Sequence, residues 1–505
     1  MAETAPLKLS NKAQLFIDDR FVESMTGAEL TANRPEFEGV AVRPGSLGAW
    51  DDAWVGGYGQ VMEVAGVYRM YTICRSVDHI HRLLAGEKPP TPLGYAESDD
   101  GIHWRKPSLG LWEYGGSKDN NISCMDGGYV FVDPNADKEE RYKLLVFAHH
   151  FIGATVIPDC LDKDQGGFYI LTSPDGLRWN WNGNRVFPFQ ADTLNQVDWD
   201  PRIGRYVAYI RTWPNGFIRG RRRAYGRGVG RLELDDPMRP WPYQDIPDPF
   251  YTLTPDDIAT ITGEVPTVLT FPGYDQPGNW TDVYTPAVFR YPWAEDVYFS
   301  FPALNHHNET SKPRNRSTLE VGMAVSRDGI HWQWPSPEPY IPLAEPGTGR
   351  SASIYGLYGM LLVDGKLYQY HHGCDIEHGM LRGSDPDDWP GSGAVYRTTQ
   401  RQDGFVSVDF QADGGQLTTT LIHAPGDRLH LNVNAGAGEG RAGILDEQGH
   451  FLPGLNIEAC DPFSCDCLDH TVTWQGSPQM PDVQDRPIRI VFRMHRAKLF
   501  SFRIT

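Results

Sequence analysis

The 505-residue chain is short of positive charge, of cysteine and of long apolar runs. It carries 46 Lys and Arg against 65 Asp and Glu, a formal net charge of −19. That balance repels phosphate backbones and anionic bilayers, so neither nucleic acid nor a membrane is an expected partner. No stretch approaches the ~20 apolar residues of a membrane span. The opening Met1-Ala-Glu-Thr-Ala-Pro6 has neither the basic nor the apolar region of a secretory leader. The expected location is cytoplasmic, or secreted or periplasmic where a leader has been removed. Seven cysteines (Cys74, Cys124, Cys160, Cys374, Cys460, Cys465 and Cys467) are too few, and odd in number, for a disulfide framework. The Cys460, Cys465, Cys467 and His470 cluster lacks paired Cys-x-x-Cys spacing, so free thiols or a local disulfide are expected there rather than zinc. No nucleotide-binding loop or redox motif is present, and no cofactor or metal is expected. Convincing amphipathic helices are missing as well.

What the chain does have is aromatics (12%), glycine (53) and proline (39), spread along its length. This composition suits many short strands joined by tight turns. A repeat organises them. Ser98-Asp-Asp-Gly-Ile-His-Trp104 returns as Ser173-Pro-Asp-Gly-Leu-Arg-Trp179 and as Ser326-Arg-Asp-Gly-Ile-His-Trp332. Degenerate copies lie at Leu234–Trp241 and Gln402–Phe405. Asp accepts backbone N–H bonds, Gly supplies positive φ, and the following Trp begins a strand with a large apolar face. Each copy therefore predicts a β-hairpin.

A strand pair precedes each hairpin: within 60–71, 129–147, 195–210, 285–301 and 358–370. Two strands and a hairpin make four strands, one propeller blade. After about Asp409 short alternating segments follow, at 417–422, 428–433, 441–445, 470–474, 488–494 and 498–503, as in a β-sandwich. The expected architecture is all-β: a five-bladed β-propeller over 1–408, including an N-terminal strand segment 1–45, and a C-terminal β-sandwich over 409–505.

At this point the chain resembles the five-bladed furanosidase superfamily, glycoside hydrolase families 32, 43 and 68. The Ser-x-Asp-Gly-x-x-Trp hairpins carry the resemblance for the propeller. For the sandwich it rests on Ala442-Gly-Ile-Leu-Asp446, Leu452-Pro-Gly-Leu455, Cys460-Asp-Pro462, Val472-Thr-Trp474, Pro487–Arg493 and Ala497–Phe500, which are similar to family 32. The start Leu15-Phe-Ile-Asp-Asp19 is similar to family-32-like proteins of unassigned activity. The Asn-Asp-Pro, Arg-Asp-Pro and Glu-Cys motifs of family 32 proper are absent. The resemblance thus implies a sugar-processing role rather than invertase activity itself.

Blade starts face a propeller's central pocket, so the residues before them are the candidates: Trp50, Asp51 and Asp52; Asn121 and Asp126; Asp192; Asp282 and Tyr284; Glu345 and Arg350. Glycoside hydrolysis needs two carboxyl groups across the scissile bond. By resemblance, Asp52 is nucleophile or base with Asp51 its rival, Asp192 orients or stabilises charge, and Asp282 is an acid of raised pKa. Glu345, Glu295 and Glu377 are alternatives to Asp282. Substrate binding is assigned to Trp50, Asp51, Asn121, Tyr284, Glu345, Arg350, His371 and His372, with Trp54 as a further stacking surface. The pairs His149–His150 and His371–His372 suggest a polar pocket, and His306 and His307 a rim loop. The basic run Arg219, Arg221, Arg222, Arg223, Arg227 and Arg231 reads as a charged strand edge or as a dock for an anionic sugar. The expected function is hydrolysis of a glycosidic, possibly furanosidic, bond in plant- or algal-derived oligosaccharides. A polysaccharide lyase, a sialidase and a non-catalytic carbohydrate-binding propeller are the rival readings. Oligomeric state is left open.

Overall fold

A computed structural model describes residues 5–87, 89–148, 167–183, 185–187, 191, 193–212, 226–241, 265–274, 281–307, 317–379, 388–484 and 486–505. The structure is nearly all β. Its one α-helix among the described residues, Val77–Leu84, was not legible in the sequence. It has only two turns, is capped by the Ser76 hydroxyl on the His79 amide, and buries just His79 and Ile80.

Antiparallel strands succeed one another in groups along the chain. The first group is Trp54–Val64, Val67–Arg75, Leu93–Ser98 and Ile122–Cys124. The second is Gly128–Val132, Tyr142–Ala148, Gly167–Ser173 and Arg185–Phe187, and the third Gln196–Asp200, Arg205–Thr212, Gly228–Leu234 and Thr267–Leu269. The fourth is Val288–Arg290, Tyr298–Ser300, Ala324–Ser326 and Trp332–Gln333, beside Thr281–Val283, Ala303–His307 and Ser317–Val321. The last is Leu361–Val363, Lys366–Cys374, Gly393–Arg401 and, from the far end of the sequence, Glu36–Val42.

The first strands of these groups lean on one another. Gln60 Nε2 donates to the Val130 carbonyl (2.9 Å), and Gln196 exchanges two bonds with the Val288 backbone (2.8 and 2.7 Å). The Val61 amide donates to the Tyr358 carbonyl (2.8 Å), and the Tyr358 hydroxyl donates to the Leu194 carbonyl (2.6 Å). These innermost strands carry buried amides because each must satisfy the backbone of a neighbour it does not pair with regularly.

The repeated hairpins have one geometry. The Gly101 amide donates to Ser98 Oγ (2.9 Å), and the Ile102 and His103 amides donate to Asp100 Oδ1 (2.8 Å each). Ser173/Asp175/Gly176 and Ser326/Asp328/Gly329 repeat this within 0.1 Å. Each turn also docks on a tyrosine of the preceding group. Tyr370 of the last group donates to the Gly101 carbonyl, and Tyr209 of the third to the Gly329 carbonyl (3.1 Å). Tyr71 and Tyr142 crowd Gly176. With φ near +70 to +80° at all three glycines, a side chain there would be strained as well as clashing.

Most of the remaining strands form two sheets, and Leu7–Lys8 pairs with Ile422–His423 in a third, two-stranded one. One orders Asp466–Thr471, Leu429–Asn434, Ala497–Ile504, Val406–Phe410 and Ala28–Ala32, with Gln14–Leu15 also on Ala497–Ile504. The other orders Ser24–Thr26, Gly415–Thr418, Arg489–His495 and Glu439–Leu445. Phe16, Phe21, Phe410, Trp474, Phe492 and Phe502 are buried in one cluster with residues of both sheets. The N-terminal segment therefore divides its strands: those within 14–32 join the C-terminal sheets, and Glu36–Val42 joins the last group. A boundary at 408/409 falls inside the strand Val406–Phe410. Asp403 ties the two regions, accepting from Tyr291 (2.7 Å) and from Ser501 (2.8 Å).

Candidate functional site

The residues leading into the innermost strands converge at one mouth. A cavity of about 90 Å³ there is lined by Tyr58, Arg75, Asp126, Thr193 and Asn195 among others. Tyr284 and Tyr355 adjoin it through Tyr58. The Tyr58 and Tyr284 hydroxyls are 3.3 Å apart, and the Tyr58 and Tyr355 rings meet edge-on at 5.8 Å. His378 completes the aromatic group, 2.9 Å from the Tyr355 hydroxyl through Nδ1 and packed on the Tyr284 ring at 4.9 Å. Burial drives the Tyr355 phenol well above its ordinary pKa, so it is a neutral hydrogen-bonding group.

Cations surround these phenols. The Arg211 guanidinium donates to the Tyr284 carbonyl (2.5 Å from Nη2) and lies 4.1 Å from the Tyr284 ring centre. Its own amide is held by Asn195 Oδ1 (2.7 Å). Arg227 lies 5.1 Å from the same ring and 3.0 Å from the Asp282 carboxylate. Asp282 is wholly buried, with His307 Nε2 also 3.1 Å away. Burial pushes its carboxyl up, but Arg227 and His307 outweigh burial and hold it below the usual carboxylate range. Its Oδ1 has no hydrogen-bond partner among the described residues.

This arrangement revises several sequence expectations. Asp282 does not line the cavity and adjoins the mouth through Arg227, which packs on Tyr284; its pKa moves down, not up, because Arg227 and His307 and not anions surround it. Tyr284 is at the mouth. Asp192 lies outside the described residues, while its neighbour Thr193 lines the cavity. Asp52 does not reach the mouth's chemistry. Its Oδ2 accepts from the Gly48 amide (2.7 Å) and its Oδ1 from the Val77 amide (2.8 Å), the first residue of the helix. Asp51, itself buried, is spent on an ion pair with the partly exposed Lys106 Nζ (2.6 Å). Trp50 is packed in the core and donates to Asn121 Oδ1 (3.0 Å), while Asn121 donates to the Tyr95 carbonyl (2.8 Å). These four residues form a structural knot.

The last group fares similarly. Glu345 is exposed, with no side-chain partner among the described residues. Arg350 stacks on Phe37, 3.7 Å from the ring centre, on the closing strand Glu36–Val42. His371 is buried between Arg350 and Tyr396; burial, then Arg350, lowers its pKa to about 3. His372 is held by the Val55 carbonyl (2.8 Å) and its pKa falls to about 4, burial being the main cause. Both are neutral core histidines. His149 and His150 lie outside the described residues, as do Arg219 and Arg221–Arg223. Arg227 and Arg231 are buried and ion-paired, not a solvated strand edge. His306 and His307 belong to the strand Ala303–His307 rather than to a rim loop.

Sequence reasoning missed Tyr58, Arg75, Arg211, Tyr355 and His378. A bulge explains the first. Between Val55 and Gly59 the register of the first strand shifts, and Gly56 and Gly57 take φ of 99° and 87°. The mouth residue is thus Tyr58, six positions beyond Asp52. The Gly56-Gly57 pair inside a strand is the signal that marks this bulge.

The opposite end of the innermost strands holds a larger cavity, about 380 Å³, lined by Glu63, Asp198, Trp199, Arg290 and Trp293. Its central carboxyl is Asp198, which accepts from Tyr129 (2.9 Å) and Gln196 (3.0 Å). Burial raises its pKa to about 7 against those bonds. Size favours this end, but the convergent charges and phenols lie at the other, and chemistry follows the groups rather than the volume.

No protein-family model matches the chain, and no curated protein sequence matches it. Solved structures are similar to it at low identity. One is an N-acetylgalactosamine deacetylase from F. plautii in complex with blood group B trisaccharide: 12% identity over 75% of this chain and 97% of that one, TM-score 0.44. Another is described as a glycoside hydrolase: 13% identity over 73% and 92%, TM-score 0.42. A third is a glycoside hydrolase family 43 arabinoxylan arabinofuranohydrolase from Bacillus subtilis in complex with cellotetraose: 11% over 90% and 96%, TM-score 0.35.

Proposed function

We propose that the strand groups are the blades of a five-bladed β-propeller, that the two remaining sheets form a β-sandwich, and that the protein is a glycoside hydrolase acting at the mouth around Tyr284. The observation that carries the functional reading is Asp282: a buried, ionised carboxylate with one oxygen on Arg227 and His307 and the other without a partner among the described residues. An unpaired buried carboxylate oxygen is costly, and it is the kind of group that stabilises an oxocarbenium-like charge when a sugar fills the site. Asp126 lines the adjoining cavity and Asp192 neighbours it in sequence. These two supply the acid and base between which the glycosidic bond is cleaved, with Asp282 as the fixed charge. An oligosaccharide of plant or algal origin is the substrate class.

The test is turnover of a panel of aryl glycosides and plant and algal oligosaccharides by the full chain, its Asp282→Asn and Asp126→Asn variants, and Asp52→Asn as control. Hydrolysis by wild type, lost by about 100-fold or more in the first two variants and kept in the control, supports the reading. Release of ultraviolet-absorbing unsaturated uronate instead of a reducing end would replace it with a lyase, with Tyr355 and His378 as the reacting pair. Absence of any turnover across the panel would leave a binding propeller.

A further inference from the structure

Arg75 lines the mouth, and the proposed hydrolysis does not use it. It ends the strand Val67–Arg75, opposite Trp54, and its guanidinium lies 4.9 Å from the Trp54 ring centre. Trp54 is itself fixed by His372 and Trp389, at 5.7 and 5.5 Å. The guanidinium is therefore packed against a fixed indole. No carboxylate pairs with it among the described residues, and its Nε is buried without a hydrogen-bond partner among them. Its close electrostatic neighbours are the phenols Tyr58, Tyr355 and Tyr284. Arg227, by contrast, is neutralised by Asp282.

A partly desolvated cation without a counter-ion is unfavourable, more so where nothing in the fold needs it. That cost disappears when a ligand brings the anion. A planar guanidinium stacked on one face offers its edge to a planar, two-oxygen group, which is how arginine takes carboxylates. The cavity holds one carboxylate for chemistry, Asp126, and one uncompensated guanidinium for recognition, Arg75.

We infer that Arg75 is the specificity site for a carboxylate-bearing sugar, so that the substrate contains a uronic acid residue seated at this mouth. The inference rests on the proposed sugar-binding role of the same mouth and narrows its substrate class. A sulfate ester would present related chemistry, and the test separates the two.

The experiment is calorimetric titration of the full chain with D-galacturonate, D-glucuronate, D-galactose, D-glucose and galactose 6-sulfate, repeated on Arg75→Lys and Arg75→Met. Thermal melting of each variant establishes folding, and Arg75→Lys retains charge where Arg75→Met fails to fold. One uronate is expected to bind at least about 10-fold tighter than its neutral counterpart, a preference reduced in Arg75→Lys and abolished in Arg75→Met. Equal affinity for uronate and neutral sugar, or a preference unchanged in the variants, overturns the inference and leaves the sugar-binding reading standing. Tighter binding of galactose 6-sulfate overturns the assignment to a carboxylate. No saturable binding of any of the five overturns the inference together with the functional reading.

Discussion

Tyr370 and Gly101, 269 positions apart in sequence, share a buried hydrogen bond from the phenol to the carbonyl. It joins the last strand group to the first, and so its loss opens a seam in the whole arrangement rather than a local turn. Tyr370→Phe leaves the carbonyl of a buried turn unsatisfied and is expected to cost about 1 to 3 kcal/mol in denaturant unfolding. Gly101→Ala is expected to cost more, because φ is 71° there and a Cβ would sit 3.0 Å from Tyr368 and 3.1 Å from the Tyr370 hydroxyl. Unchanged unfolding midpoints in both variants would show that the seam does not hold the fold.

Asp52→Asn separates structure from catalysis. The carboxylate caps the helix at Val77 and fastens Gly48, so the amide is expected to lower stability by about 1 to 2 kcal/mol while any turnover by the folded chain stays within about twofold. A loss of kcat by orders of magnitude at unchanged Tm would return Asp52 to the active site.

The Asp51–Lys106 pair sets a buried acid against a partly exposed base. Asp51 is only 3% exposed, so Lys106→Met strands a buried carboxylate and is expected to destabilise by about 3 to 5 kcal/mol. The double variant Asp51→Asn, Lys106→Met is expected to recover part of that loss. A double-mutant cycle with no coupling energy would contradict the pairing.

Two groups give pH dependences of opposite sign. His371 is held neutral with its pKa near 3, against about 6.5 unfolded. The unfolded chain takes up the proton first, so this contribution is full above about pH 6.5 and is lost as pH falls through the folded value. His371→Leu is expected to flatten the acid limb of the stability curve. Asp198, with its pKa raised to about 7, does the reverse. Its protonated form is favoured by folding, so its contribution falls as pH rises from about 4 to 7, and Asp198→Asn is expected to remove that decline with turnover unchanged. Parallel stability curves for wild type and variant would refute either assignment.

The hairpins were legible because their physics is local. A serine, an aspartate and a glycine within four residues satisfy one another's backbone, and the same bonds recur at Ser98, Ser173 and Ser326. The strands around them follow from alternation and from aromatic content. The mouth was only partly legible, since its groups come from different positions in different strand groups. Arg75 ends a second strand, and Tyr355 and His378 enter from the last group. Asp51 and Asp52 misled for a physical reason: a carboxylate beside an irregular loop serves unpaired amides or a lysine as readily as it serves a substrate. Asp282 was found by position, but the sign of its pKa shift depended on Arg227 and His307, 55 and 25 residues away.

The division of the N-terminal segment between the last strand group and the C-terminal sheets has a consequence for synthesis. Val42 pairs with Val395, and Leu30 with Val408. A ribosome must add more than 350 residues before either partner emerges. At about 5 to 20 residues per second, the N-terminal strands wait on the order of tens of seconds with open edges. Early strand groups can form in order, but closure waits for Val395 and the residues after it, and non-local pairing of this kind is slow even then. Chaperone demand during expression should therefore concentrate on the first 42 residues.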